Sequence, residues 1–362
     1  MAAASLAQDG TAALRGGARQ NQRAMPPATP ATPATPAAPT APPTAPAVTP
    51  GKAASSHQQL ALFAGLAVVA VWGANFAVQK ALFDLLTPAA FLCARYTLMP
   101  ICAAALLLHA NGGRWLRLPR RDALQLAGLG LLAHTLHVSM VTFGIHWSTA
   151  FSSALIMACS PVFTLLMLHA AGIEALTRGQ IAGVALACSG VLVFLSDKLV
   201  GNQWAATGGD LMMLFSASLF SYYTVMSKPL IQRHGGVAVM AYATLAGSPL
   251  IVLFGLPAAL VAPWGQMSAL QWGLLLWASL VSALAGWLVW GWVNTQRGVA
   301  RTAPMQYLMP LVAGAVAWWA TGERFTLLKI GGAALTLAGV ALAQYAVRDG
   351  RTQAPEAPAQ VD

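Results

Sequence analysis

Residues 161–191, PVFTLLMLHAAGIEALTRGQIAGVALACSGV, are echoed 149 residues later by residues 310–340, PLVAGAVAWWATGERFTLLKIGGAALTLAGV. Pro and Glu are scarce in the apolar part of the chain, so their recurrence carries more weight than that of Ala, Leu and Gly. The echo predicts a duplicated unit. Ten aligned pairs are identical: Pro161/Pro310, Ala171/Ala320, Glu174/Glu323, Thr177/Thr326, Ile181/Ile330, Gly183/Gly332, Ala185/Ala334, Leu186/Leu335, Gly190/Gly339 and Val191/Val340.

The composition excludes an ordinary soluble protein. Hydrophobic residues make up 57% of the 362 and charged residues 8%, against about 25% charged in a typical soluble domain. Apolar runs of near twenty residues recur, each long enough to cross a bilayer core of about 30 Å as a helix. We therefore predict an all-α integral membrane protein with ten transmembrane helices, at about 59–81, 88–108, 123–143, 149–169, 177–196, 209–228, 236–256, 269–292, 302–321 and 326–346.

The basic residues indicate the topology. If the N-terminus is cytoplasmic, the cytoplasmic segments hold fifteen Lys and Arg residues, against four (Lys80, Lys198, Arg324 and Lys329) in the outer segments. Such a bias marks the inside, so we predict a multi-pass protein of the cell's inner membrane with both termini cytoplasmic. The net charge of +10 does not indicate a nucleic-acid partner, because the basic residues are scattered at helix ends and form no patch interleaved with aromatics.

The apolar part divides into two halves. We expect a first five-helix repeat at 59–196 and a second at 209–346, with a Pro/Ala/Thr-rich disordered tail at 1–58 and a cytoplasmic tail at 347–362. Five spans is an odd number, so the second copy enters the membrane in the opposite orientation. The repeats are therefore predicted to be inverted, with a central cavity at their interface.

Small residues and cysteines read as structural. Helical spacing of small residues in both copies lets backbones approach closely in lipid, and we expect this of Gly183, Ala187, Gly190, Gly332 and Gly339. The cysteines make no C-x-x-C pair and fall inside predicted spans, so we expect free thiols packed against other helices: Cys93, Cys102, Cys159 and Cys188.

Four short motifs carry a family resemblance. Trp72-Gly73-Ala74-Asn75-Phe76, Arg95, Ser160-Pro161 and Gly322-Glu323-Arg324-Phe325-Thr326 resemble the EamA-type carriers of the drug/metabolite transporter superfamily over residues 59–346. The resemblance implies a secondary carrier, often an exporter of amino acids or other small metabolites, whose cavity is lined by the stretch around Asn75. The first copy departs from the family pattern, since Ile173 separates Gly172 from Glu174.

Two polar residues within spans are candidates for substrate binding, because polar groups in lipid are costly. The amide of Asn75 can bond a substrate or brace a neighbouring helix. The guanidinium of Arg95 can grip a carboxylate with two hydrogen bonds; alternatively it snorkels outward or binds loop carbonyls.

Two histidines, His134 and His137, share one face of the third span. They are candidates for proton coupling, and His137 also for substrate contact, while packing as neutral side chains is the alternative. No further ligand lies near this H-x-x-H pair in sequence, so neither a metal site nor a cofactor is predicted.

Candidates in the second half are Trp287, Gln306 and Tyr307, which can line a cavity for a flat or apolar side chain. Glu174 and Glu323 precede amphipathic helix starts. They suit either ion exchange or, more simply, a capping interaction with the helix dipole.

The predicted function is export of a small-molecule substrate by alternating access. No Walker A motif is present, so ATP hydrolysis by this chain is not expected. An intramembrane enzyme is the first alternative, although no nucleophile with its base and no H-E-x-x-H motif is visible. A receptor or channel is the second, and the repeat fits a carrier better.

Overall fold

The computed structural model describes residues 52–170, 176–200 and 204–353, which form helices and no strand. Neighbouring helical segments of these residues are grouped into rods, which we number α1 to α10. The predicted disordered tail falls mostly on residues 1–51, outside the described residues, and its last residues already belong to α1. The rods are α1 (Lys52–Leu82), α2 (Pro88–Ala110), α3 (Arg120–Trp147), α4 (Ala150–Met157 and Ser160–Ala170), α5 (Arg178–Val200), α6 (Trp204–His234), α7 (Gly236–Leu260), α8 (Ala269–Arg297), α9 (Val299–Thr302 and Leu308–Thr321) and α10 (Leu327–Gln353).

Four rods depart from regular α-helix, at places that correspond between the halves. A π-helical stretch, Leu131–His137, lies inside α3, and another, Trp277–Ala285, lies inside α8. Rod α4 is interrupted before Ser160, and α9 contains a 3-10 stretch, Ala303–Tyr307. The second helical piece of α4 begins one residue before Pro161, and that of α9 begins two residues before Pro310. Proline suits a first helical turn, where its missing N–H leaves no bond unmade, which explains the recurrence of this pair.

The length and apolar surface of the rods suit a lipid environment. Seven of them (α1–α5, α7 and α8) are long and apolar enough to cross a membrane. Many large apolar side chains face outward, among them Phe63, Leu192, Phe254 and Trp319, where hydrocarbon rather than water is the favourable neighbour. Cys188 is also exposed, so its expected packing against another helix is wrong.

Helices α5 and α10 pack through the predicted small residues. A Cβ added to Gly190 would lie 2.3 Å from the Thr336 nitrogen, and one added to Gly339 would lie 2.2 Å from the Ala187 nitrogen. Residue numbers rise along α5 as they fall along α10, so the two helices run antiparallel. The contacts pair up under the 149-residue offset: Gly183 with Ala343 matches Gly332 with Phe194, and Gly190 with Thr336 matches Gly339 with Ala187.

The remaining helix contacts show the same correspondence. Helix α1 packs against α8 and α9, and α6, five rods later, packs against α3 and α4. Helix α2 packs against α7, its own counterpart, around a core that includes Phe91, Tyr96 and Met99. These contacts therefore recur when every rod number is advanced by five.

One end of α3 is fixed by a lysine. The Lys80 ammonium donates to the carbonyl oxygens of Ile145, His146 and Ser148 at 3.2, 2.7 and 2.7 Å. These carbonyls belong to the last turn, where a cation complements the helix dipole. The Ser148 hydroxyl in turn donates to the Asp210 carboxylate, so α1, α3 and α6 are joined at this end.

The opposite end of α3 is held by charges. Asp122 accepts two 3.0 Å hydrogen bonds from Arg233 and lies 2.6 Å from His234 Nε2. These contacts tie the start of α3 to the end of α6.

Threonines cap α5 and α10. Thr177 Oγ1 accepts from the Gln180 amide at 3.2 Å, and Thr326 Oγ1 accepts from the Lys329 amide at 3.1 Å. Glu323 lies further upstream, and its Oε1 is buried without a hydrogen-bond partner among the described residues. The expected capping by Glu323 is therefore wrong, because the hydroxyl three residues later holds that position; Glu174 lies outside the described residues.

Candidate functional site

A cavity lies between the two halves, with about 580 Å³ of space not occupied by protein atoms. Rods α1, α2, α3, α4, α6, α8 and α9 all contribute to its wall. The π-helical stretches supply His137 from α3 and Ser282 from α8; such widened turns occur often at functional sites. The cavity is lined by Trp72, Asn75, Phe76, Gln79, Arg95, His137, Val138, Val141, Met157, Phe220, Ser282, Trp287 and Met309.

Arg95 is the only charged residue in this lining. Its side chain is 5% exposed, and its Nε has no hydrogen-bond partner. Its guanidinium carbon lies 5.9 Å from the ring centres of Phe91 and Tyr96. Among the described residues no carboxylate forms an ion pair with it. A buried cation is stabilised only when an anion or acceptors meet it, so the cavity presents an uncompensated positive charge.

Two amides stand one helical turn apart on α1. Asn75 is 7% exposed and Gln79 2%, and the carbonyl oxygens of both side chains are buried without a hydrogen-bond partner among the described residues. A buried polar atom left without a partner costs about 1–3 kcal/mol, which a bound ligand or water can recover. Sequence analysis missed Gln79, although its spacing of four residues from Asn75 places it on the same helix face.

The two histidines of α3 have different surroundings. Nδ1 of His137 lies 2.6 Å from Ser216 Oγ and 3.0 Å from the Ser216 carbonyl oxygen. A carbonyl oxygen only accepts, so this geometry favours the proton on Nδ1 and leaves Nε2 as an acceptor. His134 is fully buried, with Nδ1 3.2 Å from the Tyr96 hydroxyl, and it does not line the cavity.

Four aromatic side chains form a contiguous group at one side of the cavity, and we call them the aromatic cluster: Trp72, Phe220 and Trp287, which line the cavity, and Trp290, which does not. Phe220 lies 5.8 Å from both Trp72 and Trp287, and Trp72 lies 5.3 Å from Trp290, measured between ring centres. The indole of Trp72 donates to the Ser282 carbonyl at 2.8 Å. Trp287 thus lines the cavity and packs against Phe220.

Gln306 and Tyr307 lie elsewhere. The Tyr307 hydroxyl donates to the Val340 carbonyl at 2.9 Å, so its polar end is satisfied by α10 rather than by a ligand. Gln306 lines a separate pocket with Ser160 and Asn294. Their expected place in the main cavity is wrong, because the 3-10 stretch that carries them packs against α10 and α4.

The described part of the chain contains no arrangement of side chains suited to bind a metal ion. No group of three His, Cys, Asp or Glu side chains there lies close enough to hold an ion. The two histidines are instead bonded to Tyr96 and Ser216.

Known proteins resemble this chain over most of its length. The profile of the EamA-like transporter family matches residues 59–196 and again residues 207–345. A probable terminal-alkyne amino-acid exporter of Streptantibioticus cattleyicolor is 29% identical, covering 78% of this chain and 92% of the relative. A probable amino-acid metabolite efflux pump of Salmonella typhimurium is 28% identical, covering 80% and 96%. One solved crystal structure superposes with a TM-score of 0.57 at 18% identity, covering 80% of this chain and 99% of the other, and so shares the fold.

Proposed function

This chain belongs to the EamA-like transporter family, and on that premise we propose that it exports amino acids or related carboxylates by alternating access. It is a multi-pass membrane transporter of small metabolites and not an enzyme. Two of its relatives are named for amino-acid export.

The observation that carries the proposal is the unpaired Arg95 in the cavity wall. A guanidinium offers two parallel N–H donors that match a carboxylate. The side-chain oxygens of Asn75 and Gln79 are buried acceptors to which no described residue donates. The ammonium group of an amino acid can donate hydrogen bonds to them. The cavity therefore provides opposite polar partners for the two ends of an amino acid, while the aromatic cluster faces its side chain.

Transport follows from the duplication. The antiparallel α5–α10 contact and the five-rod correspondence of the helix contacts support two inverted five-helix repeats, each crossing the membrane five times. In such a fold, rocking one repeat against the other opens the central cavity to each side in turn. With both termini in the cytoplasm of an inner-membrane protein, export is movement from the end where α3 begins to the end where it stops.

His137, rather than His134, is the candidate for proton coupling. Its side chain lines the cavity and its Nε2 has no hydrogen-bond partner among the described residues, so a proton can reach it from solvent when the cavity opens. A proton on His137 and the charge of Arg95 would repel each other, so protonation of His137 is expected to depend on what the cavity holds.

The test is a screen followed by a measurement of efflux. Cells that overexpress the chain are challenged with toxic amino acids and analogues, and efflux of the protective compound is then measured from preloaded cells. Arg95→Gln should lower efflux at least about tenfold, since it removes a charge-assisted contact, and Arg95→Lys should restore part of it. The matched control is Arg301→Gln, which removes an exposed arginine. Normal efflux by Arg95→Gln at equal membrane abundance would refute the assigned site.

A further inference from the structure

A second pocket lies beyond the aromatic cluster, displaced toward the C-terminal ends of α6 and α8. It has about 420 Å³ of space not occupied by protein atoms, part of which is open to solvent. Trp287 lines both this pocket and the main cavity, so the two spaces share one indole in their walls. We call this pocket the vestibule; its walls include Tyr223, Lys228, Trp287 and Trp290.

Three side chains that line both the vestibule and the pocket of Gln306 carry polar atoms that nothing in the described chain satisfies. Thr224 Oγ1, Trp290 Nε1 and Asn294 Oδ1 are buried without a hydrogen-bond partner, and all three side chains are more than nine-tenths buried. The Asn294 nitrogen is engaged, donating to the Trp290 carbonyl at 2.8 Å. Unmet donors and acceptors gathered in one pocket indicate a place where a polar ligand or ordered water completes the bonding.

Lys228 is the charge of the vestibule. It is half-buried, and no described residue accepts a hydrogen bond from it or forms an ion pair with it. Its counterpart in the first repeat is Lys80, which meets Lys228 one residue out of phase with the 149-residue offset and bonds three carbonyl oxygens at the end of α3. Lys80 therefore has a structural role, which is to bond backbone carbonyl oxygens at a helix end. Lys228 makes no such bond with the described residues.

We propose that the vestibule is a second substrate site, in which Lys228 binds the carboxylate of a small organic acid or amino acid with an apolar or aromatic body. The indoles of Trp287 and Trp290 contact that body, and Thr224 and Asn294 bond its remaining polar group. Because it deepens the function proposed above, this inference rests on that function. A substrate held here is one side chain, Trp287, away from the Arg95 cavity.

Binding of radiolabelled phenylacetate to the purified full-length protein in nanodiscs tests this site separately from transport. Phenylacetate carries a carboxylate and an aromatic body, and 2-phenylethylamine has the same ring without the carboxylate. Wild type should bind two equivalents. Arg95→Gln and Lys228→Gln should each retain one, and the double variant should retain neither. In the Arg95→Gln background, Lys228→Gln should weaken binding at least about tenfold.

Three controls separate recognition from folding and from the function itself. Lys228→Arg should keep the second equivalent, and Arg301→Gln should keep both; each variant is checked by circular dichroism and monodispersity. If wild type binds a single equivalent, and Lys228→Gln abolishes it while Arg95→Gln does not, the cavity assignment is refuted and the vestibule proposal is not. Two equivalents bound by Lys228→Gln, or competition by 2-phenylethylamine as strong as by phenylacetate itself, would overturn the vestibule proposal.

Discussion

Replacing Lys80 with Met tests whether the duplicated lysines have diverged in role. The variant keeps the apolar stem of the side chain and removes three charge-assisted hydrogen bonds, at 3.2, 2.7 and 2.7 Å, to the last turn of α3. Bonds to charged groups contribute about 1.5–3 kcal/mol each. Lys80 is only half-buried, so water replaces part of what is lost, and we expect a net destabilisation of about 2–4 kcal/mol.

The duplication supplies the matched control. Lys228→Met removes the equivalent charge from a side chain that makes no hydrogen bond or ion pair with the described residues, so without ligand it should change stability by less than about 0.5 kcal/mol. Both variants are purified in the same detergent, and unfolding is followed by tryptophan fluorescence. At roughly 2 °C per kcal/mol for a chain of this size, Lys80→Met should lower the midpoint by about 5 °C and Lys228→Met by no more than about 1 °C. Equal shifts would refute the reasoning.

Three further predictions concern packing, placement and topology. Gly339→Ala places a Cβ 2.2 Å from the Ala187 nitrogen and should reduce the folded, monodisperse yield severely, whereas Gly331→Ala, with nothing within 4 Å, should leave it unchanged; similar yields would show that α5 and α10 are not in close contact. Tyr307→Phe loses one hydrogen bond to Val340 and should cost about 1 kcal/mol of stability without lowering efflux, so impaired efflux from a stable protein would return Tyr307 to the substrate path. Reporter fusions after Gly112 and Asp349 should report cytoplasm and one near Asn202 the outside; the reverse pattern would invert the proposed topology.

The helices and their order were accessible from the sequence, because hydrophobicity in runs of twenty residues is a local property. Each predicted span has its rod, though α6 extends beyond residues 209–228 to Trp204–His234. The π-helical stretches and the break before Ser160 were not foreseen. They depend on how neighbouring rods press against the backbone, and no turn residue marks them.

The candidate site was predicted in part. Asn75, Arg95, His137 and Trp287 meet in one cavity, since polar or amphipathic groups within spans tend to face the protein interior. Gln306 and Tyr307 are polar within a span in the same way, yet they face α4 and α10. The rotation of a helix about its axis is set by its neighbours, and a single span's sequence carries little of that information.

By itself, the sequence determined the duplication, the membrane class and the odd number of spans in each copy, because these depend on composition and on residue spacing along one chain. Only the tertiary structure decided which of the two matched lysines bonds a helix end and which lines the vestibule. It also decided that Arg95 has no carboxylate of the described residues beside it. Those facts depend on which backbone carbonyls and carboxylates other rods bring near. In a hydrocarbon surround such pairing determines what a charge does, and distance along the chain does not reveal it.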